Sequence, residues 1–385
     1  MQGIQNLLLE STKSYRKRRR HAKSLYTFLC VLAVLVMGGG CKAKIESTSI
    51  PDLFERSILI SGEKVPIKGL LGRPIQILAH DSLIFINEYR DDQLLYVYNA
   101  KTGNLLAKTA HVGRGPNEFS PPIMISFSED REKLNIYDRS QKHFGEYQFS
   151  EASGLELIGE RIHFNADHSK VHKLDASLFL TSGFFQNGRF CISNKSKDTL
   201  IYRGEYPDMD LRVRSGNSSN DKLDNNIKEM IFQGQLEIRP DLQYFVICSS
   251  LVGILEIYEI QGGALIKKKE IRERDYVDLD GFSNGTIVKA DISPTFPRGF
   301  SGVFVTQEHI FTLYSGRSED EFPYNNNLGS TILVFDWQGN PILRFDVNEE
   351  LKSITLDSSS NKLYAIYQSE EIGVITYDLN EYITH

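Results

Sequence analysis

Cysteine is scarce: the chain of 385 residues has four, at positions 30, 41, 191 and 248. No Cys-x-x-Cys pair and no His-Glu-x-x-His occurs, so the common zinc motifs are absent. P-loop and dinucleotide fingerprints are missing as well. No catalytic residue, cofactor or metal site is therefore assigned from sequence. Proline is sparse and spread out, 12 in all, so no long Pro-rich linker divides the chain. Basic charge is concentrated at the front, where residues 1–40 hold Lys13, Arg16, Lys17, Arg18, Arg19, Arg20 and Lys23 against one acid, Glu10. The formal net charge is -6, so removing that +6 segment leaves -12 on residues 41–385. An acidic body repels phosphate backbones and argues against a nucleic-acid partner.

The front of the chain is an address. A basic stretch, Tyr15–Lys23, precedes the apolar run Phe28–Met37, and Gly38-Gly-Gly-Cys41 follows at once. That run is too short to cross a bilayer core of roughly 30 Å as a helix. Basic head, short apolar middle and small residues make residues 1–40 a secretory signal. A Cys directly after small residues resembles the bacterial lipobox. The resemblance implies that the Cys41 thiol receives a lipid, the signal is removed and Cys41 becomes the new N-terminus. The alternative is ordinary signal cleavage with Cys41 left as a thiol. More than one acyl chain gives firm membrane anchoring. Cys30 leaves with the signal. Cys191 and Cys248 sit in different apolar strand-like runs, and buried free thiols are expected there. Residues 41–55 are polar and unpatterned, and are read as a tether.

Phe (22) and Tyr (18) are plentiful. Both favour strands, because they pack well on a pleated, half-buried surface. Short alternating runs closed by Asp, Asn, Ser or Gly recur through residues 56–385. The clearest are Thr331–Arg344, Ser353–Asp357, Lys362–Tyr367 and Gly373–Asp378. A unit of four strands, a to d, repeats along the chain. Its a strands begin near residues 75, 123, 171, 235, 302 and 353, a spacing of about fifty where there is no insert, which suits a propeller blade. The expected fold is all-β: a six-bladed β-propeller of four-stranded antiparallel blades. The sixth unit lacks a clear d strand, so an N-terminal run, Arg56–Ile60 or Val65–Lys68, is expected to close it as its outer strand. Inserts fall at 205–234, with helix spacing at Ile227, Met230 and Ile231, at 273–298 and at 315–330. Long loops on a rigid scaffold are where binding usually lives.

Between the first and second units stands His111-Val-Gly-Arg-Gly-Pro-Asn-Glu-Phe-Ser-Pro-Pro122. Gly-Arg-Gly-Pro-x-Glu-Phe at this place resembles the TolB-like six-bladed β-propeller lipoproteins of Bacteroides-type bacteria, and Asp336-Trp-Gln-Gly-Asn-Pro341 fits the same family. The resemblance covers about residues 56–380. It implies an exported, lipid-anchored propeller, with the outer membrane as the expected site, and no particular chemistry. Gly113 and Gly115 allow positive φ and close backbone approach. Arg114 and Glu118 are placed to pair across the turn. Either the motif is a connector between blades, or Arg114 and Glu118 face the axial opening and touch a ligand.

Other constellations are weak. His163, His168 and His172 straddle a turn and a strand start, and read as a surface cluster. Asp275–Gly285 is calcium-like in composition. It fails the EF-hand spacing, because with Gly281 in sixth place Tyr276 and Ile287 occupy the end positions. It reads as a solvated acidic loop. The expected function is an envelope-anchored lipoprotein whose propeller binds a protein, peptide or glycan ligand without catalysis. The alternative is a propeller hydrolase or lyase with His, Asp and Glu converging on an axial metal.

Overall fold

A computed structural model describes residues 49–115, 117–194, 200–214, 224–284 and 288–383. The signal, Cys41 and the tether as far as residue 48 lie outside the described residues, as does Pro116.

In chain order, β1 (Ser57–Leu59) and β2 (Glu63–Val65) come first. Blade 1 is β3 (Pro74–His80), β4 (Leu83–Glu88), β5 (Gln93–Asn99) and β6 (Leu105–His111). Blade 2 is β7 (Ile123–Phe127), β8 (Leu134–Asp138), β9 (His143–Ser150) and β10 (Gly154–His163). Blade 3 is β11 (His168–Lys173), β12 (Leu178–Gly183), β13 (Phe190–Asn194) and β14 (Leu200–Arg203). After β15 (Asp210–Val213) and helix α1 (Asn225–Phe232), blade 4 is β16 (Gly234–Ile238), β17 (Tyr244–Ser249), β18 (Ile254–Gln261) and β19 (Ala264–Arg272). Two insert strands follow, β20 (Tyr276–Asn284) and β21 (Val288–Ile292). Blade 5 is β22 (Phe300–Val305), β23 (His309–Tyr314), β24 (Gly329–Asp336) and the first part of β25 (Pro341–Asp357). Blade 6 is the last part of β25 with β26 (Lys362–Gln368) and β27 (Ile372–Asp378).

The fourth strand of blade 6 is β2, whose Glu63, Lys64 and Val65 pair antiparallel with Thr376, Ile375 and Val374. The run nearer Val65 therefore does the pairing expected of the N-terminus. The earlier run, β1, lies parallel to the outer strand of blade 5 instead, with Ile58 opposite Phe345.

Middle strands such as β4, β5 and β8 are buried along nearly their whole length. They are covered on both faces by neighbouring blades, and so read as continuous apolar runs. Outer strands alternate, and β19 carries Lys267, Lys268 and Lys269 along its edge, which discourages edge-to-edge pairing. Each neighbouring pair of blades shares its own apolar cluster. Phe85 and Val97 meet Ile125 and Ile136. Tyr137 and Phe144 meet Val171 and Phe179. Leu180 and Phe190 meet Leu236 and Phe245. Val246 and Leu255 meet Val303 and Ile310. Phe311 and Val334 meet Ile354 and Ala365. Tyr364 and Ile366 of the sixth blade meet Ile77 and Ile84 of the first.

Three expectations are corrected. The tether ends before residue 55: Ile50 is fully buried among blades 4 and 5, its amide donates to Glu273 Oε1 at 2.9 Å, and the Phe54 ring meets Phe335 edge-on. Burying one such apolar side chain stabilises by about 1.5–3 kcal/mol, which explains why this polar-looking segment is docked. The acidic stretch from Asp275 is a strand rather than a loop: β20 pairs parallel with β15 and antiparallel with β21, burying Val277 and Leu279. Helix α1 packs on this side sheet through Ile227, Ile231 and Phe232, and Asp224 caps it by accepting from the Asn226 and Ile227 amides at 3.0 Å. The three histidines form no surface cluster. His168 is buried between the Phe164 and Phe185 rings, His172 is half-buried beside the axis, and only His163 is exposed, against His143. Cys191 and Cys248 are buried free thiols, as expected. Among the described residues no helix is long and apolar enough to cross a membrane.

Candidate functional site

All six inner strands, β3, β7, β11, β16, β22 and the last part of β25, line an axial channel of about 470 Å³. A wider funnel of about 780 Å³ lies where inner strands turn into their neighbours, bounded by turns such as Ser128–Arg131, Asp175–Ala176 and Pro240–Leu242. Leu78, Glu237 and Phe304 line both spaces, so funnel and channel meet at a collar of two apolar side chains and one carboxylate.

Three acids on the funnel rim, Asp130, Asp175 and Asp241, hold its turns. Asp130 accepts from the Glu132 amide at 3.1 Å, Asp175 from the Leu178 amide at 2.8 Å and Asp241 from the Gln243 amide at 3.0 Å. These are local Asx-type bonds that fix a hairpin without a ligand. Two rim cations are neutralised: Lys173 pairs with Glu146, and Arg239 with Asp241 at 2.6 Å. Arg131 crosses the mouth from blade 2. Its guanidinium lies over the Phe304 ring, 5.3 Å from the centroid, and donates to Ser358 Oγ at 3.0 Å and the Val305 carbonyl at 3.4 Å.

Deeper in, the charges are not neutralised. Lys170 on β11 donates to Gln235 Oε1 at 2.7 Å, and no carboxylate stands within ion-pair distance of it among the described residues. Burial pushes its ammonium down to about 8, against the pull of Glu237. Glu237 on β16 accepts no hydrogen bond from the described residues, and burial pushes it up to about 7 despite Lys170 and Arg131. His172 on β11 has its Nε2 buried without a partner, and burial holds the ring near 4, hence neutral at pH 7. Near the channel's other end Glu229 of α1 accepts from Ser169 Oγ at 3.0 Å and Tyr206 OH at 3.2 Å, and burial raises it to about 7.

The Gly-Arg-Gly-Pro motif lies elsewhere, in the connector from blade 1 to blade 2. The Glu118 carboxylate turns back to accept from the Gly115 amide at 2.8 Å in place of pairing with Arg114, and Arg161 donates to the Glu118 carbonyl at 3.1 Å. Arg114 is exposed, and neither side chain lines the funnel or the channel. Neither Gly113 nor Gly115 has positive φ. Gly113 is needed for space, since a Cβ there would run into the Glu118 carboxylate.

Gly281-Phe-Ser-Asn-Gly285 spells Gly-x-Ser-x-Gly. Ser283 sits within β20, paired opposite Lys289, and not on the strand-to-helix turn that a nucleophile elbow requires. Among the described residues one trio, His80, Asp81 and Asp357, brings metal-capable atoms within 4.8 Å of one another. Asp357 there already accepts from Ser359 Oγ at 2.8 Å and Ser360 Oγ at 2.6 Å, and the trio does not line the axial cavities.

The axial residues have a faint signal in sequence. An inner strand packed only between blades would be apolar on both faces. Here polar residues alternate with buried ones: Gln76 before Ile77, Lys170 and His172 around Val171, Gln235 and Glu237 around Leu236.

Six four-stranded blades about a lined axis define a β-propeller. Residues 60–359 match the family described as TolB-like 6-blade propeller-like, and the chain belongs to that family. Among solved structures it is similar to a Bacteroides fragilis protein assigned as exported, with a TM-score of 0.51 and 12% identity over 83% of this chain and 94% of that one. Looser likenesses are to U3-55K (TM-score 0.45, 12% identity, 82% of this chain and 100% of that one) and to the Cps50 (Swd1) β-propeller domain of Myceliophteria thermophila (TM-score 0.45, 11% identity, 83% and 99%). At these identities the likeness shows the fold alone. No curated protein matches the sequence.

Proposed function

We propose that this chain is an exported, lipid-anchored envelope protein whose propeller binds a ligand in its axial funnel and channel without catalysing a reaction on it. The observation that carries the binding reading is the channel itself: about 470 Å³, lined by all six blades, with Lys170 and Glu237 left without a counter-charge or hydrogen-bond donor of their own. Pockets of this size, mostly formed in advance and furnished with a few polar groups, are typical of ligand sites. The non-catalytic reading is supported by the rim acids Asp130, Asp175 and Asp241, which are engaged in capping turns. Export and anchoring rest on the signal-like residues 1–40, on Gly38-Gly-Gly-Cys41 and on the likeness to a protein assigned as exported. The outer membrane is the proposed address.

Two measurements test this. Cell fractionation should find the parent in membranes and the Cys41→Ala variant released or retained as precursor; identical partitioning of both overturns the anchor. A panel of glycans and peptides should contain a ligand that raises the melting temperature of the parent and not of Glu237→Arg. A ligand that stabilises both equally binds elsewhere and overturns the axial site.

A further inference from the structure

We infer that the axial channel takes a small carboxylic acid carrying several hydroxyl groups, its carboxylate seated on Lys170 and its hydroxyls donating to Glu237. This rests on the axial binding site proposed above and names the class of its ligand.

Lys170 Nζ has three donors, and Gln235 Oε1 takes one at 2.7 Å. An ammonium held away from bulk water with no anion beside it is unfavourable, and a bound carboxylate supplies the missing partner. The paired rim cations Lys173 and Arg239 offer no such opening, because Glu146 and Asp241 already occupy them. Glu237 is the complementary group. When ionised it only accepts, and no described residue donates to it, so it is matched to hydroxyl donors rather than to a second anion. Gln76 adds little, as its amide is bonded both ways to the Ile125 backbone, at 2.7 and 3.2 Å. Leu78 and Phe304 give the collar an apolar wall against which a carbon ring can lie.

Charge selects further. Lys170, Arg131, Arg139 and Glu237 sum to two positive charges when all are ionised, which favours an anion over a neutral or cationic ligand. A cationic ligand would meet Lys170 and Arg131. Lys170 is held near 8 by burial, so an anion beside it raises its proton affinity, and binding at or above pH 8 takes up protons.

The test is isothermal titration of the full mature protein with glucuronate, galacturonate, glucose, glucosamine and inorganic phosphate. At least one uronate should bind about tenfold or more tightly than glucose, with proton uptake seen in buffers of different ionisation heat at pH 8. Lys170→Met should weaken uronate binding about 10- to 100-fold while the circular dichroism spectrum is retained. Lys170→Arg should keep part of it. Equal affinity for glucose and the uronates, unchanged binding by Lys170→Met, preference for phosphate, or no uronate binding at all each overturns the inference. A neutral sugar or a peptide whose binding is lost in Glu237→Arg would leave the axial site standing and remove only the acid. Binding that ignores both substitutions removes both.

Discussion

Blades 3 and 4 meet over two sets of opposite charge. In the outer set, Arg189 of blade 3 is paired with Glu256 of blade 4, each 1% exposed at the side chain. Lys267 adds a second contact to Glu256 at 2.9 Å, and Tyr258 OH donates to it at 3.0 Å. Burial works against the Glu256 carboxylate, yet Arg189 and Lys267 outweigh it and hold the group below the usual carboxylate range. In the inner set, Lys170 and Glu237 come from adjacent inner strands of the same two blades but form no ion pair, and burial moves each toward its neutral form. The outer set finds its counter-charges within the protein, with Arg189 Nε alone left without a hydrogen-bond partner, and ties two blades together. The inner set has no such pairing among the described residues, which is why the proposed ligand is placed there. Paired charges belong to the architecture, and the proposed site is placed where pairing is absent beside an open cavity.

Breaking the outer pair should have the largest effect. Arg189→Met leaves Glu256 buried with only Lys267 opposite, and should lower stability in urea unfolding by about 3–5 kcal/mol. Replacing both partners with apolar residues should recover much of that loss. A single variant as stable as the parent would place the pair in solvent and erase the contrast.

A neutral buried group tests the comparison from a third side. His168 is held near 4 by burial against an ordinary value of 6.5. The unfolded chain therefore takes up the proton first. The stabilising contribution is complete above about pH 6.5 and is lost as pH falls toward 4, on the order of 3 kcal/mol in total. His168→Leu should show a shallower fall in melting temperature than the parent between pH 6.5 and 4. Equal slopes would contradict the burial.

The inner set should respond in the opposite sense to the outer one. Lys170→Met should leave stability within about 1 kcal/mol of the parent, or raise it, because an unneutralised charge is removed from the channel. A loss like that of Arg189→Met would make Lys170 architectural. Smallest of all, Arg114→Ala should change neither stability, beyond about 0.5 kcal/mol, nor axial binding, since the side chain is exposed and off the axis. A change in binding would restore the connector as part of the site.

The blades were legible because their middle strands are buried on both faces. Leu83-Ile-Phe-Ile and Ile254-Leu-Glu-Ile-Tyr258 leave few alternatives to a covered strand. The insert was less so. Val277 and Leu279 alternate with Asp278 and Asp280, a two-residue period hidden by acidic composition. Ile50 lies in a short segment with no period at all. The axial site was scarcely visible, because each blade contributes only one or two side chains and their convergence depends on the ring. His168 and His172 show the same limit. Four residues apart on one strand, one enters the core between blades and the other borders the funnel, and spacing does not say which faces where.

The most direct test is the titration of the Lys170 ammonium, followed by NMR of nitrogen-labelled lysine with Lys170→Arg to identify the signal. A half-titration near pH 8 in the free protein, moving upward when a uronate is bound, is the outcome expected of a cation waiting for its partner. Titration at the ordinary lysine value of about 10.4, unmoved by any ligand, would mean that the ammonium is solvated and that the channel is not a binding site.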